Sequence, residues 1–191
     1  MNISFGKKIT IAKCHILDKE QNKFVPVVIN EYDCTTMDDF VEVQKLGATF
    51  LFATTISQNM YAKNNSYYTK QPNNNRFFNI ERENNGEVLG LALCEEQKHS
   101  LDVGYIETKH DNRHRYTGQA LLASLAGFSS AIGKFKIKIK NAVKTSVDFY
   151  QDTCGFDKNS NSEFQLMRRD IPNFLEQTEE RTKHPIINLQ G

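Results

Sequence analysis

Residues 101–130, LDVGYIETKHDNRHRYTGQALLASLAGFSS, set three patterns end to end. An alternating apolar stretch reads as a strand, a polar and basic loop follows, and a run with apolar residues at helical spacing closes the segment. Leu121, Leu125 and Phe128 share one helical stripe, with Leu122 and Ala126 beside it. After Gly133 the chain alternates Phe135, Ile137 and Ile139 with Lys136, Lys138 and Lys140, a period of two. Strand, helix, strand in this order is a βαβ unit, whose two strands must lie parallel in one sheet. Arg115, Tyr116, Thr117, Gly118, Gln119 and Ala120 stand where the loop becomes the helix. The amides of a first helical turn have no internal partner, and the helix dipole points its positive end the same way. Small residues at 118 and 120 let an anion come close to the backbone. The junction is read as a pyrophosphate site.

The flanking sequence predicts further strands around this unit. Ile9, Ile11 and residues 14–17 form one, and residues 25–29 form a second, with Pro26 near its start and a polar turn over residues 18–23. Residues 77–83 and 88–95 are two more, joined by Asn84, Asn85 and Gly86, an Asn-Gly turn. Residues 98–100 turn the chain into strand 101–108, so three strands on short turns make an antiparallel ladder. Thr35 and Thr36 supply hydroxyl caps, and Asp38 and Asp39 first-turn acids, for a helix carrying Phe40, Val43, Leu46 and Phe50. Beyond Gly47, residues 51–60 suit a second helix, although their Thr and Phe content also fits a strand. Residues 63–76 are an Asn-rich loop, in which Tyr67 and Tyr68 either pack at the base or reach an acceptor pocket. A further helix is predicted over 142–152, with strands near Phe156 and over 163–168. The fold class is α/β, a mixed sheet. Residues 1–170 make one domain, and residues 171–191 a C-terminal extension: a short helix from Pro172, then a loose tail after Pro185.

Composition narrows the function. At 191 residues and 39% hydrophobic, the chain supports one well-packed domain. A net charge of +1 gives no electrostatic case for nucleic acid or an anionic membrane. Cys14, Cys34, Cys94 and Cys154 stand far apart, without zinc spacing, which fits free thiols in a reducing compartment. The N-terminus lacks a signal-peptide apolar stretch, Asn2 excludes N-myristoylation, and no apolar run approaches a membrane span. A cytoplasmic location is expected.

The pattern Arg115-x-x-Gly118-x-Ala120 resembles the signature turn of the GCN5-related N-acetyltransferase (GNAT) superfamily, Gln/Arg-x-x-Gly-x-Gly/Ala. Residues 146–156, SVDFYQDTCGF, resemble that superfamily's later helix–turn–strand, an aromatic-Tyr pair followed by Gly-Phe, with one residue more than the commonest spacing between Tyr150 and Gly155. The resemblance covers roughly residues 77–167, with residues 106–115 a few residues longer than the usual connection. It implies an acyl-CoA N-acyltransferase fold whose central parallel strands splay to admit acetyl-CoA, and transfer of an acetyl group to an amine of a small molecule or protein. A non-catalytic acyl-CoA-binding or protein-interaction module on the same fold is the alternative, and a homodimer is possible.

The resemblance also implies roles. Residues 116–120, with Arg113 and Arg115, would hold the pyrophosphate, and Ile106 and Thr108 would flank the pantetheine arm. Tyr150 would be the general acid that protonates the leaving thiolate, or else pack its ring under the sheet. Glu107 would be the base on the strand beside the thioester carbonyl, or else a solvated strand-end glutamate. His110 and His114 read as solvated loop histidines, either of which could serve as a base, and without a third ligand they make no metal site. Lys136, Lys138 and Lys140 form an ordinary wet strand face or help hold the nucleotide 3′-phosphate.

Overall fold

Apolar alternation along the central strands sends successive side chains to opposite faces of one sheet. Phe77, Leu91 and Leu93 go to one cluster, and Phe78, Ala92 and Cys94 to the other. The computed structural model describes residues 8–32, 37–64, 74–111, 113–160 and 162–189. The elements in chain order are β1 (Lys8–Asp18), β2 (Lys23–Tyr32), α1 (Met37–Lys45), α2 (Ala53–Asn64), β3 (Asn75–Arg82), β4 (Val88–Glu96), β5 (Ser100–Thr108), β6 (His114–Arg115) and α3 (Thr117–Ala131). They continue with β7 (Lys136–Ile139), β8 (Asp157–Lys158), β9 (Phe164–Met167), α4 (Ile171–Thr182) and β10 (Ile187–Asn188). The sheet runs β10-β1-β2-β3-β4-β5-β7-β9-β8, and β6 also pairs β1. Residues 53–64 are helical, which decides the segment that suited either helix or strand.

Phe40, Val43, Phe50 and Ile56 bring α1 and α2 against one face. α3 and α4 cover the other through Leu121, Leu125, Phe128, Ile171 and Phe174. Burying each such side chain contributes about 1.5–3 kcal/mol. The described part of α3 is buried almost all round, because α4 and β10 cover the side that faces away from the sheet. A Cβ at Gly127 would lie 2.5 Å from Asn188 Nδ2, so that glycine makes room for β10.

β5 and β7 are parallel as the βαβ reading requires, with Ser100–Val103 opposite Lys136–Ile139. β7 then stops, while β5 continues to Thr108 paired only with β4. Gly104 marks the parting. In the β4–β5 register Leu93 faces Tyr105 and Cys94 faces Val103, so Gly104 is the extra residue of a bulge that bends β5. The two parallel strands therefore splay, and the β7-side edge of residues 104–108 is left to line a gap.

Two parts of the chain depart from the sequence expectation. Residues 142–152 do not form a regular helix: a 3₁₀ turn, Lys144–Ser146, is followed by a π turn, Phe149–Thr153. The Cys154 amide donates to the Phe149 carbonyl at 3.0 Å, so the additional residue before Gly155 is taken up as a widened turn. Nor is the chain loose after Pro185, since Ile187–Asn188 adds a strand to β1 and the Leu189 amide donates to the Ile11 carbonyl at 2.8 Å.

Candidate active site

The gap between β5 and the 3₁₀–π segment is a cleft of about 920 Å³ closed at one end by the start of α3. Its walls include Ile106, Glu107 and Thr108 from β5, His114 and Arg115 from β6, residues 116–119, and Phe149 and Tyr150 from the π turn. Eleven residues separated in sequence by up to 44 positions thus meet in the gap that opens where β5 leaves β7.

The α3 end presents the amides of a first helical turn. The Ala120 amide donates to the Tyr116 carbonyl at 2.8 Å, the first bond within the helix, so the amides of Thr117, Gly118 and Gln119 precede the ladder. Tyr116 caps the helix at φ 72°, ψ 4°, a left-handed conformation costing a non-glycine residue roughly 1–3 kcal/mol. The Arg115 guanidinium lies 5.0 Å from the Tyr116 ring centroid. Thr117 Oγ1 is buried and has no hydrogen-bond partner among the described residues. A Cβ at Gly118 would rest 3.5 Å from Thr108 Cγ2 and 3.6 Å from Phe149 Cζ, filling space that now belongs to the cleft.

On the strand wall, the Glu107 side chain is 4% exposed. Its Oε1 accepts the Leu51 amide at 2.9 Å and its Oε2 the Phe52 amide at 2.8 Å, so it anchors the start of α2. His110 Nε2 stands 3.3 Å from Glu107 Oε1, with the ring largely in solvent. Gly90 permits this strand to pass close by: a Cβ there would lie 3.0 Å from the Glu107 carbonyl oxygen. On the opposite wall Tyr150 packs against Phe149, Phe156 and Phe164. Burial pushes its phenol above the ordinary value of 10, and the Ser146 hydroxyl draws it partly back.

No protein-family model matches this chain, and no curated protein sequence does. Solved structures match at probability 1.00. They include a protein described as a GNAT-family acetyltransferase from Desulfovibrio desulfuricans, 12% identical over 73% of this chain and 99% of that one, TM-score 0.52. A tyrosine-to-phenylalanine mutant of KacT is 12% identical over 77% and 98%, TM-score 0.54. The ribosomal-protein-S18-alanine N-acetyltransferase of Escherichia coli is 14% identical over 74% and 93%, TM-score 0.52. The fold is that of the GNAT acetyltransferases.

Within this GNAT fold, the expected site residues Ile106, Glu107, Thr108, Arg115, Tyr116, Thr117, Gly118, Gln119 and Tyr150 share one cleft. Arg113 and Ala120 do not. Arg113 Nη2 and Nε donate to Asp18 Oδ2 at 2.8 and 3.2 Å, and Nε also lies 3.2 Å from Glu20 Oε2. That arginine fastens the loop to β1 and is occupied there. Ala120 is fully buried in the α3 core and its amide belongs to the helix. His114 is not solvated: its side chain is 3% exposed, with both ring nitrogens lacking a hydrogen-bond partner among the described residues and Nδ1 3.3 Å from Asp111 Oδ2. Lys140 pairs with Asp102 at 2.7 Å and Lys136 donates to Gln165 at 3.2 Å, outside the cleft. Tyr67 and Tyr68 lie outside the described residues.

Sequence reading missed the cleft's apolar lip, Leu51 and Phe52, and one cation, Arg181 of α4. Leu51, 78% exposed, could have been flagged only by asking which end of α2 faces β5. Cys14, Cys94 and Cys154 are free and buried, and burial pushes the thiols of Cys14 and Cys154 up to about 12, so neither is poised as a nucleophile. No group of three metal-ligating side chains occurs among the described residues, and none of their helices is long and apolar enough to cross a membrane.

Proposed function

We propose that this chain is an acetyl-CoA-dependent N-acetyltransferase that passes an acetyl group directly to an amine of a small molecule or protein. The observation that carries the reading is the convergence, in one cleft, of the amides opening α3, which have no partner among the described residues, the free edge of β5 beyond the Gly104 bulge, and Tyr150. The vacant side of Gly118 suits a diphosphate at that corner.

Acetyl-CoA, when bound, supplies an activated acetyl carbonyl and a thiolate leaving group. The Thr117, Gly118 and Gln119 amides would hold its diphosphate, and the β5 backbone at Ile106 and Thr108 would align the pantetheine arm. Tyr150, kept protonated by burial, would hold a proton for the leaving sulfur. Glu107 and His110, 3.3 Å apart, would draw the proton from the incoming amine, with the exposed His110 ring on the solvent side of the buried carboxylate. Direct attack needs no covalent intermediate on the protein.

A second reading, a non-catalytic acyl-CoA-binding module, draws on one observation: both Glu107 oxygens already accept backbone amides that hold α2. One experiment separates the two. Calorimetry with acetyl-CoA should show stoichiometric binding, and an amine panel of small molecules, peptide N-termini and lysyl peptides should release free thiol with at least one member. Binding without thiol release across the panel favours the module, and absence of binding overturns both.

A further inference from the structure

We infer that Arg181, on the C-terminal helix α4, is a phosphate ligand of the coenzyme, an inference that rests on the acetyl-CoA reading above. Arg181 lines the cleft 62 residues beyond Gln119, the last of the α3 residues that do so. Two bonds fix its place. Nη1 donates to the Thr153 carbonyl at 3.0 Å, at the end of the π turn, and to Gln119 Oε1 at 3.3 Å, in the first turn of α3. Gln119 is itself held from behind, its Nε2 donating to Thr178 Oγ1 at 3.2 Å. The guanidinium is thereby carried by two walls of the cleft and by α4 together.

A guanidinium has five N–H donors, and those on Nε and Nη2 have no protein acceptor among the described residues. Arg181 also makes no ion pair with a described carboxylate, whereas Arg76, Arg82 and Arg113 each do. The charge lies beside the positive end of α3, with Arg115 on the same rim, while the carboxylate on the cleft wall, Glu107, is taken up by the Leu51 and Phe52 amides. A phosphate answers both at once: it accepts from the guanidinium fork and from the α3 amides. Both the diphosphate and the 3′-phosphate of CoA present that chemistry. α4 is then part of the cofactor site, and its packing on α3 through Gln119 and Thr178 sets the guanidinium's position.

The test is calorimetric affinity for CoA, 3′-dephospho-CoA and phosphate-free pantetheine, using full-length wild type, Arg181→Gln and Arg181→Lys. Arg181→Gln should weaken CoA about ten- to a hundredfold. Arg181→Lys should recover part of that loss, and pantetheine should bind all three proteins alike. Wild-type CoA affinity should also fall more steeply with added salt than that of Arg181→Gln. If dephospho-CoA keeps the sensitivity to Arg181→Gln, the diphosphate is the contact; if it loses the sensitivity, the 3′-phosphate is. Equal CoA affinity in wild type and Arg181→Gln overturns the inference, as does an equal loss for pantetheine, which would mark a purely structural role. Should Arg181→Gln not fold, Arg181→Lys and the wild-type salt dependence decide. Wild type that binds no CoA at all overturns the acetyltransferase reading instead.

Discussion

Phe149 Cζ stands 3.6 Å from the point where a side chain at Gly118 would begin. That separation is an ordinary van der Waals contact, so the protein has room for a methyl group at 118 and leaves it empty. Gly118→Ala should therefore fold with stability within about 0.5 kcal/mol of wild type. The methyl group would occupy the path by which a diphosphate reaches the Gly118 amide, and affinity for CoA should fall at least tenfold, about 1.4 kcal/mol. Paired thermal unfolding and calorimetry check this, and unchanged CoA binding would remove the diphosphate from this corner.

Tyr150 is buried and lines the cleft. Tyr150→Phe keeps the contacts with Phe149, Phe156 and Phe164, so binding of CoA and stability at neutral pH should hold. Turnover at saturating acetyl-CoA should fall by roughly 10²-fold or more if the phenol supplies a proton. The raised phenol adds a stability signature. Its folded value lies above the unfolded value of 10, so stability is undiminished below pH 10 and declines as pH climbs from there toward the folded value. The Phe variant lacks this decline, which alkaline unfolding curves of the two proteins would show.

Glu107 joins the cleft to the start of α2 through the Leu51 and Phe52 amides. Glu107→Gln keeps one acceptor oxygen and turns the other into an amide donor, leaving one backbone N–H without its partner. A stability loss of about 1–3 kcal/mol is expected from chemical denaturation. A true proton acceptor adds a second effect, a drop in kcat under conditions where the variant is fully folded. Loss of stability with kcat intact would assign Glu107 to architecture alone.

Asp18 has no exposed surface and takes Arg82 Nη1 at 3.2 Å as well as Arg113, holding the loop before β6 on β1. The hydrogen bonds from Arg113 keep its carboxyl at about 2, well below the ordinary carboxylate value of 3.8. A depressed folded value means that its contribution is complete above pH 4 and is lost as pH falls from there through about 2. Asp18→Asn should lower the unfolding midpoint at pH 7 by more than about 5 °C, because it removes the charge that Arg82 and Arg113 share. The difference from wild type should shrink as both are titrated toward pH 2. A pH-independent difference would mean that the charge of Asp18 is not what holds the loop.

Much of the architecture is visible in the local pattern. Period-two alternation locates β3, β4 and β5, the Asn84–Gly86 turn joins two of them, and the apolar stripe of residues 121–128 finds α3. Gly118 stands out because a small residue where a strand-fed loop opens a helix has few other uses. Arg113 shows where such reading ends. It sits two residues from Arg115 and carries the same charge, yet it turns to Asp18, 95 positions earlier, while Arg115 stays at the cleft. No local pattern distinguishes them, since the deciding partner comes from a strand pairing across the chain. Arg181 is the converse: a helix that looks like an appendage brings its cation to the cleft because α3, buried almost all round, needs a second layer over it.

The sequence by itself determined that this chain builds a mixed sheet with a βαβ unit, and that a small-residue turn opens the helix of that unit. These follow from side-chain periodicity and from orphan amides, which depend on neighbours a few residues apart. Tertiary structure alone decided that β5 leaves β7 at the Gly104 bulge, that Glu107 is shared between the cleft and α2, and which arginines face the gap. Those outcomes depend on contacts between residues tens of positions apart, where burial and charge pairing choose among partners that local sequence leaves equivalent.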